Sequence, residues 1–80
     1  MKSIGILYFA MLREQRGLAE EQVQTAARTP RDLYAGLQAA HSFTLEPSRL
    51  RVIINDEFAD WDVPLTDGDR VVFVPPVAGG

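Results

Sequence analysis

The sequence predicts an α+β fold, a small mixed sheet covered on one face by one main helix. Three observations carry that expectation. Apolar runs rich in β-branched and aromatic residues stand near both ends, Ile4-Gly5-Ile6-Leu7-Tyr8-Phe9 and Arg70-Val71-Val72-Phe73-Val74. One strong helix-start signal, Thr29-Pro30-Arg31-Asp32, opens an apolar stripe at helical spacing. The chain has 80 residues, room for one domain with one modest core. Residues 1–76 are expected to form that domain, and residues 77–80 a flexible tail ending in Gly-Gly.

The elements follow in order. Ile4 to Phe9 is apolar on both faces, as suits a strand inside a sheet. Ala10 to Arg16 is rich in helix formers, and Gly17 stands where a left-handed cap would end a short helix. Glu20 to Thr25 is polar apart from Val23 and reads as a short, wet edge strand or a loop. At the main helix, Thr29 can accept from the free amides of the first turn, and Pro30 sits where a missing N–H costs nothing. Asp32 suits the positive end of the helix dipole. Leu33, Leu37 and Ala40, with Tyr34 beside them, form the apolar stripe of a helix ending near His41. Gly36 within it costs about 1 kcal/mol relative to Ala unless helix and sheet approach closely there. Arg51 to Asn55 is a strand that turns through Asn55-Asp56-Glu57 into Phe58-Ala59. Asp67-Gly68 is a strong turn signal ahead of the last strand, which Pro75-Pro76 ends. With the first and last strands both strongly apolar, they are expected side by side at the centre, the β-grasp arrangement.

One helix can cover only one face of this sheet, and strand residues alternate between faces. If Leu33 and Leu37 cover the Phe73 side, then Phe9, Val74 and Phe58 are left on the other. An uncovered apolar patch on a small protein marks a partner surface. The alternative is that Phe9 and Phe58 tuck under the irregular segment from Ser42 to Ser48.

Composition narrows the chemistry. The chain has no cysteine, which excludes a disulfide scaffold, a thiolate metal site and a Cys nucleophile. A net charge of −3 argues against a nucleic-acid footprint. No apolar run approaches the ~20 residues a membrane span needs. With no targeting segment visible, the cytoplasm is the expected location. What remains is the end of the chain. Pro75-Pro76 stiffen the exit in an extended form, and Gly79-Gly80, lacking Cβ atoms, can lie in a channel too narrow for side chains. Residues Pro75 to Gly79 are thus candidates for insertion into another protein's active site, with the Gly80 carboxylate as the reacting group. That carboxylate is a poor acyl donor until activated, for example as an acyl-adenylate. The opposing reading is a frayed, glycine-rich terminus.

The block from Pro64 through Asp67-Gly68-Asp69, Val71-Val72-Phe73-Val74 and Pro75-Pro76 to Gly79-Gly80 resembles the C-terminal signature of the small, sulfur-carrier subunits of molybdopterin synthase. Tyr8-Phe9-Ala10-Met11-Leu12-Arg13-Glu14 resembles that family's strand-to-helix junction, and the likeness runs over nearly the whole chain. The resemblance implies a ubiquitin-like β-grasp fold and a subunit that is not an enzyme on its own and binds no cofactor. It implies that an ATP-dependent enzyme adenylates Gly80, that a sulfur donor system converts it to a thiocarboxylate, and that the tail enters the large synthase subunit. There sulfur passes to cyclic pyranopterin monophosphate in molybdenum cofactor biosynthesis, within a heterotetramer of two small and two large subunits. Phe9, Phe58 and Val74 take the docking role in that scheme, and Arg13 is a further candidate partner contact. Val74 stands where the family often has a larger aromatic residue, and Arg70 where it often has an acidic one.

Other polar and aromatic residues read as structural. His41 suits a helix C-terminus, Trp61 packs over a turn, and Asp67 and Asp69 are turn formers and not metal ligands. The competing functions are a sulfur carrier of another pathway, such as the thiamine type, a ubiquitin-like modifier joined to lysines through Gly80, and an interaction module with an idle tail.

Overall fold

Strand β1 (Lys2–Tyr8) runs up the middle of the molecule and bends at once into helix α1 (Ala10–Arg16). The computed structural model describes residues 1–75. Strand β2 (Glu20–Thr25) returns antiparallel to β1, helix α2 (Pro30–His41) crosses the sheet, and a 3₁₀ turn (Pro47–Arg49) leads to β3 (Arg51–Ile54). A tight hairpin joins β3 to β4 (Glu57–Ala59), and β5 (Arg70–Val74) closes the order. The sheet order is β2-β1-β5-β3-β4, with β5 parallel to β1 and antiparallel to β3. The last strand is therefore walled in by the first and third, as the two apolar runs predict. Glu20–Thr25 resolves to a strand at one edge of the sheet.

The helix signals act as read. Thr29 Oγ1 accepts from the Asp32 amide at 3.2 Å, and Pro30 is buried at the first turn. Gly17 ends α1 at φ 82°, and its N–H donates to the Arg13 carbonyl at 2.9 Å. Such a positive φ suits glycine, which has no Cβ to clash.

One core lies between α2 and one face of the sheet. Ile4, Ile6 and Tyr8 from β1, Val71 and Phe73 from β5, and Val52 from β3 meet Leu33, Tyr34 and Leu37 of α2. Leu12 of α1 and Phe43, Leu50 and Leu65 of the connections complete it. The Ser42–Ser48 segment serves this face and not the other one. Phe43 is buried against the rings of Tyr8 and Tyr34, with centroids 5.9 Å away in both cases. The Tyr34 hydroxyl donates to the Leu45 carbonyl at 2.7 Å.

One local expectation needs correction, and two others become more definite. Ala40 is exposed, so the buried stripe of α2 stops at Leu37. Gly36 faces open space, with nothing within 4 Å of where a Cβ would stand, so no close helix–sheet approach requires it. Trp61 does more than roof a turn. Its ring stacks on Phe73 at 5.7 Å and meets Tyr34 edge-on at 5.9 Å, which makes it the rim of the core. Sequence spacing could not show this, because the loop carrying Trp61 is set by α2: Arg31 N–H donates to the Trp61 carbonyl at 3.0 Å.

Candidate functional site: an open sheet face beside the end of the last strand

The turn before β5 holds the strand in place. Ser3 N–H donates to Asp67 Oδ1 at 2.6 Å, and Gly68 N–H returns a bond to the Ser3 carbonyl at 2.8 Å. Asp69 Oδ2 accepts from the Thr66 amide at 2.8 Å while its Oδ1 accepts from Asn55 Nδ2 at 2.9 Å. Asn55 Oδ1 in turn accepts from the Arg70 amide at 3.0 Å. Asp67 and Asp69 thus tie the start of β5 to β1 and to the β3–β4 hairpin. With that end fastened and the strand flanked on both sides, β5 can run only one way, toward Val74 and Pro75.

Register decides what lies on the sheet face opposite α2. Leu7 pairs with Glu20 and Val72, Val72 with Ile53, and Ile53 with Phe58. Cross-strand partners share a face, so Leu7, Val72, Ile53 and Phe58 form one apolar row over four strands. Val74 lies on this face beside its partner Arg51. Phe9 continues β1 in extended conformation (φ −127°, ψ 154°) one residue past Tyr8, the partner of Phe73. It therefore turns to the face that Tyr8 does not. Among the described residues no helix covers this side: Phe58 is 70% exposed and Phe9 46%.

Phe9, Phe58 and Val74 therefore share the open face, as expected. Arg13 is exposed one turn beyond Phe9, whose carbonyl accepts its N–H at 3.3 Å. Pro75 follows β5 directly, whereas Pro76, Val77, Ala78, Gly79 and Gly80 lie outside the described residues. Ile53, Leu7 and Val72 form the centre of the face, which local pattern along each strand does not show. Alternation gives each strand's two sides, but only the pairing register aligns residues from four strands in one row.

A polar cluster that the sequence did not announce stands at the β2 edge. Tyr8 is buried, yet its hydroxyl donates to Glu21 Oε2 at 2.6 Å. Arg16 holds the same carboxylate with Nε at 2.8 Å and Nη2 at 2.9 Å. The Arg16 hydrogen bond draws Glu21 below the usual carboxylate range, against its partial burial. Burial and the adjacent carboxylate push the Tyr8 phenol well above its ordinary value. The cluster is satisfied within itself and fastens α1 to the sheet. Among the described residues no group of three or more His, Cys, Asp or Glu side chains is placed to hold a metal ion. Nor is any helix among them long and apolar enough to cross a membrane.

Fold and face together define a class: a ubiquitin-like β-grasp protein with its last strand at the sheet centre and an open apolar face beside the end of that strand. Within that class the chain belongs to the ThiS family, whose model matches residues 6–80. It is 36% identical to the molybdopterin synthase sulfur carrier subunit of Escherichia coli (strain K12), covering 96% of this chain and 99% of that protein. Among solved structures it is similar to a putative molybdopterin converting factor, subunit 1, from Pyrococcus furiosus, at 26% identity and TM-score 0.80, covering 96% of this chain and 100% of that one. It is also similar, at 25% identity and TM-score 0.69, to a chain in the complex of subunits 1 and 2 of the molybdopterin-converting factor from Helicobacter pylori 26695, covering 98% and 99% of the two chains.

Proposed function

We propose that this chain is the sulfur-carrier subunit of a molybdopterin synthase, with Gly80 as its terminal, reacting residue. One observation carries the reading: β5, fastened at its start and enclosed by β1 and β3, ends at Val74 beside an apolar face that no described helix covers, and Pro75-Pro76 and Gly79-Gly80 follow it in the sequence. The relatives' names and the converting-factor complex support the choice of pathway and of a large-subunit partner.

In this reading the body presents the tail and supplies no catalytic group. An ATP-dependent enzyme joins the Gly80 carboxylate to AMP, releasing pyrophosphate. Hydrosulfide delivered by a donor system then attacks the acyl carbon, the bond to AMP breaks, and the terminal thiocarboxylate and free AMP remain. This group is more acidic than a thiol and is ionised at neutral pH without the tuned surroundings that a reactive cysteine needs. It enters the large subunit through Pro75, Pro76, Val77, Ala78 and Gly79 and gives its sulfur to cyclic pyranopterin monophosphate. Phe9, Phe58 and Val74, with Arg13 at the margin, dock the body. The chain holds no cofactor of its own in this cycle, ATP belongs to the activating enzyme, and the work is cytoplasmic.

Intact mass tests the central step. Co-expression with the activating enzyme and a sulfur source should give a chain ending at Gly80 with one O-to-S exchange, and that product should form molybdopterin with the large subunit. An unchanged mass where adenylation is demonstrated, or a native polypeptide that continues past Gly80 without processing, refutes the reading. Adducts that survive reduction would assign the tail to protein conjugation instead.

A further inference from the structure

The open face is charged as well as apolar. Arg51 of β3 and Arg70 of β5 both point to it, because Arg51 pairs with Val74 and Arg70 with Gly5 on the side away from the core. The Arg51 guanidinium lies 5.9 Å from the centre of the Phe58 ring, so this charge stands against the β4 end of the apolar row. Arg70 leans the other way across the sheet. Its Cγ is 3.8 Å from the point where a Cβ on Gly5 would stand, in a cleft of about 390 Å³ lined also by Leu7 and Val72. Glu20 and Asp56 line the same cleft, yet neither forms an ion pair with Arg70, and Arg51 has none either among the described residues. Among the described residues, a chain of net charge −3 thus places two guanidinium groups without an ion pair on β3 and β5 of its open face.

We propose that the partner docking on this face presents two carboxylates, one over Arg51 and one over Arg70. The inference rests on the reading of that partner as the large synthase subunit, and it adds what that subunit must carry. A partner that covers Leu7, Val72, Ile53 and Phe58 takes both guanidinium groups out of water, and a buried charge without a counter-charge is strongly unfavourable. The register fixes the spacing. Arg70 lies four residues before Val74 on β5, and Arg51 is one strand over from Val74. With a rise of ~3.3 Å per residue and ~4.8 Å between strands, the two backbone positions are about 14 Å apart. Because Arg70 leans toward β1 and Arg51 toward β4, the matching carboxylates stand at least that far apart, and the pair selects this face and its orientation through complementary charge.

Calorimetric titration of the full chain against its large subunit, at low and high salt, tests the idea. Arg51→Glu and Arg70→Glu should each weaken binding about tenfold or more and flatten its salt dependence, while the Arg→Lys forms keep most of the affinity. Circular dichroism melts confirm that each variant is folded. Phe58→Asp serves as the control for the face itself. If Phe58→Asp weakens binding while either glutamate variant binds as tightly as the parent, the two-carboxylate match is wrong and the docking face stands. If none of the three matters, the face is not the interface and the inference falls with it. If the parent chain does not bind the large subunit at all, the functional reading fails first and this one goes with it. Restoration of binding to Arg51→Glu by a Glu→Lys or Asp→Lys change on the large subunit would locate the first counter-charge.

Discussion

Truncating two phenylalanines on opposite sides of one sheet should separate folding from docking. Phe73 is fully buried, with its ring 5.1 Å from Tyr34 and stacked on Trp61 at 5.7 Å. Phe73→Ala removes the transfer free energy of the ring, opens a cavity the surrounding strands cannot close, and deprives two aromatic rings of a neighbour. The expected cost is about 3–5 kcal/mol. A domain of 80 residues has roughly 4–12 kcal/mol of stability in total, so the variant is left marginal. Phe58 is 70% exposed on β4, and Phe58→Ala should cost no more than about 0.5 kcal/mol while weakening association with the large subunit. Urea unfolding reports both, followed by Trp61 fluorescence and by far-UV circular dichroism, since Trp61 itself touches Phe73. A loss above about 2 kcal/mol for Phe58→Ala, or below about 1 kcal/mol for Phe73→Ala, would refute the assignment of the two faces.

Three further outcomes are expected. Gly36→Ala should stabilise the protein by up to about 1 kcal/mol, because Gly36 lies inside α2 with open space beyond it; an unchanged or lowered urea midpoint would contradict this. Glu21 has a folded pKa below its ordinary value, so its contribution is present at neutral pH and is lost as pH falls from the ordinary carboxylate range through the depressed one. Glu21→Gln should therefore lose stability at neutral pH and flatten that acid limb, and unfolding curves from neutral to acid pH that run parallel to the parent's would refute it. Deleting Gly80, or adding one residue after it, should abolish sulfur transfer and leave the melting curve unchanged; a deletion variant that still transfers sulfur would remove the basis of the proposed function.

Local chemistry made much of the fold legible. Thr29 and Pro30 start α2, Gly17 stops α1, and Asp67-Gly68-Asp69 turns the chain into β5, because capping and turn formation depend on residues adjacent in sequence. Ala40 is exposed although it keeps the spacing of the buried stripe, because spacing shows which side of a helix a residue occupies, not how far the sheet extends beneath it. Trp61 and the Tyr8–Glu21–Arg16 cluster join residues far apart along the chain or on different elements, and no local pattern marks such contacts.

By itself the sequence determined that one main helix would cover one side of a small sheet, that β1 and β5 would lie together at its centre, and that Phe9, Phe58 and Val74 would face away from the core. The central pair follows from two runs that are apolar on both faces, and the helix stripe and the facing of the three residues from periodicity, since alternation along a strand is a property of the backbone. Only the tertiary structure decided that Leu7, Val72, Ile53 and Phe58 stand in one row with Arg51 and Arg70 on either side of it. Pairing register sets that arrangement, and register is fixed by contacts between distant segments: Asp67 with Ser3, Asp69 with Asn55, and Tyr8 beside Phe73.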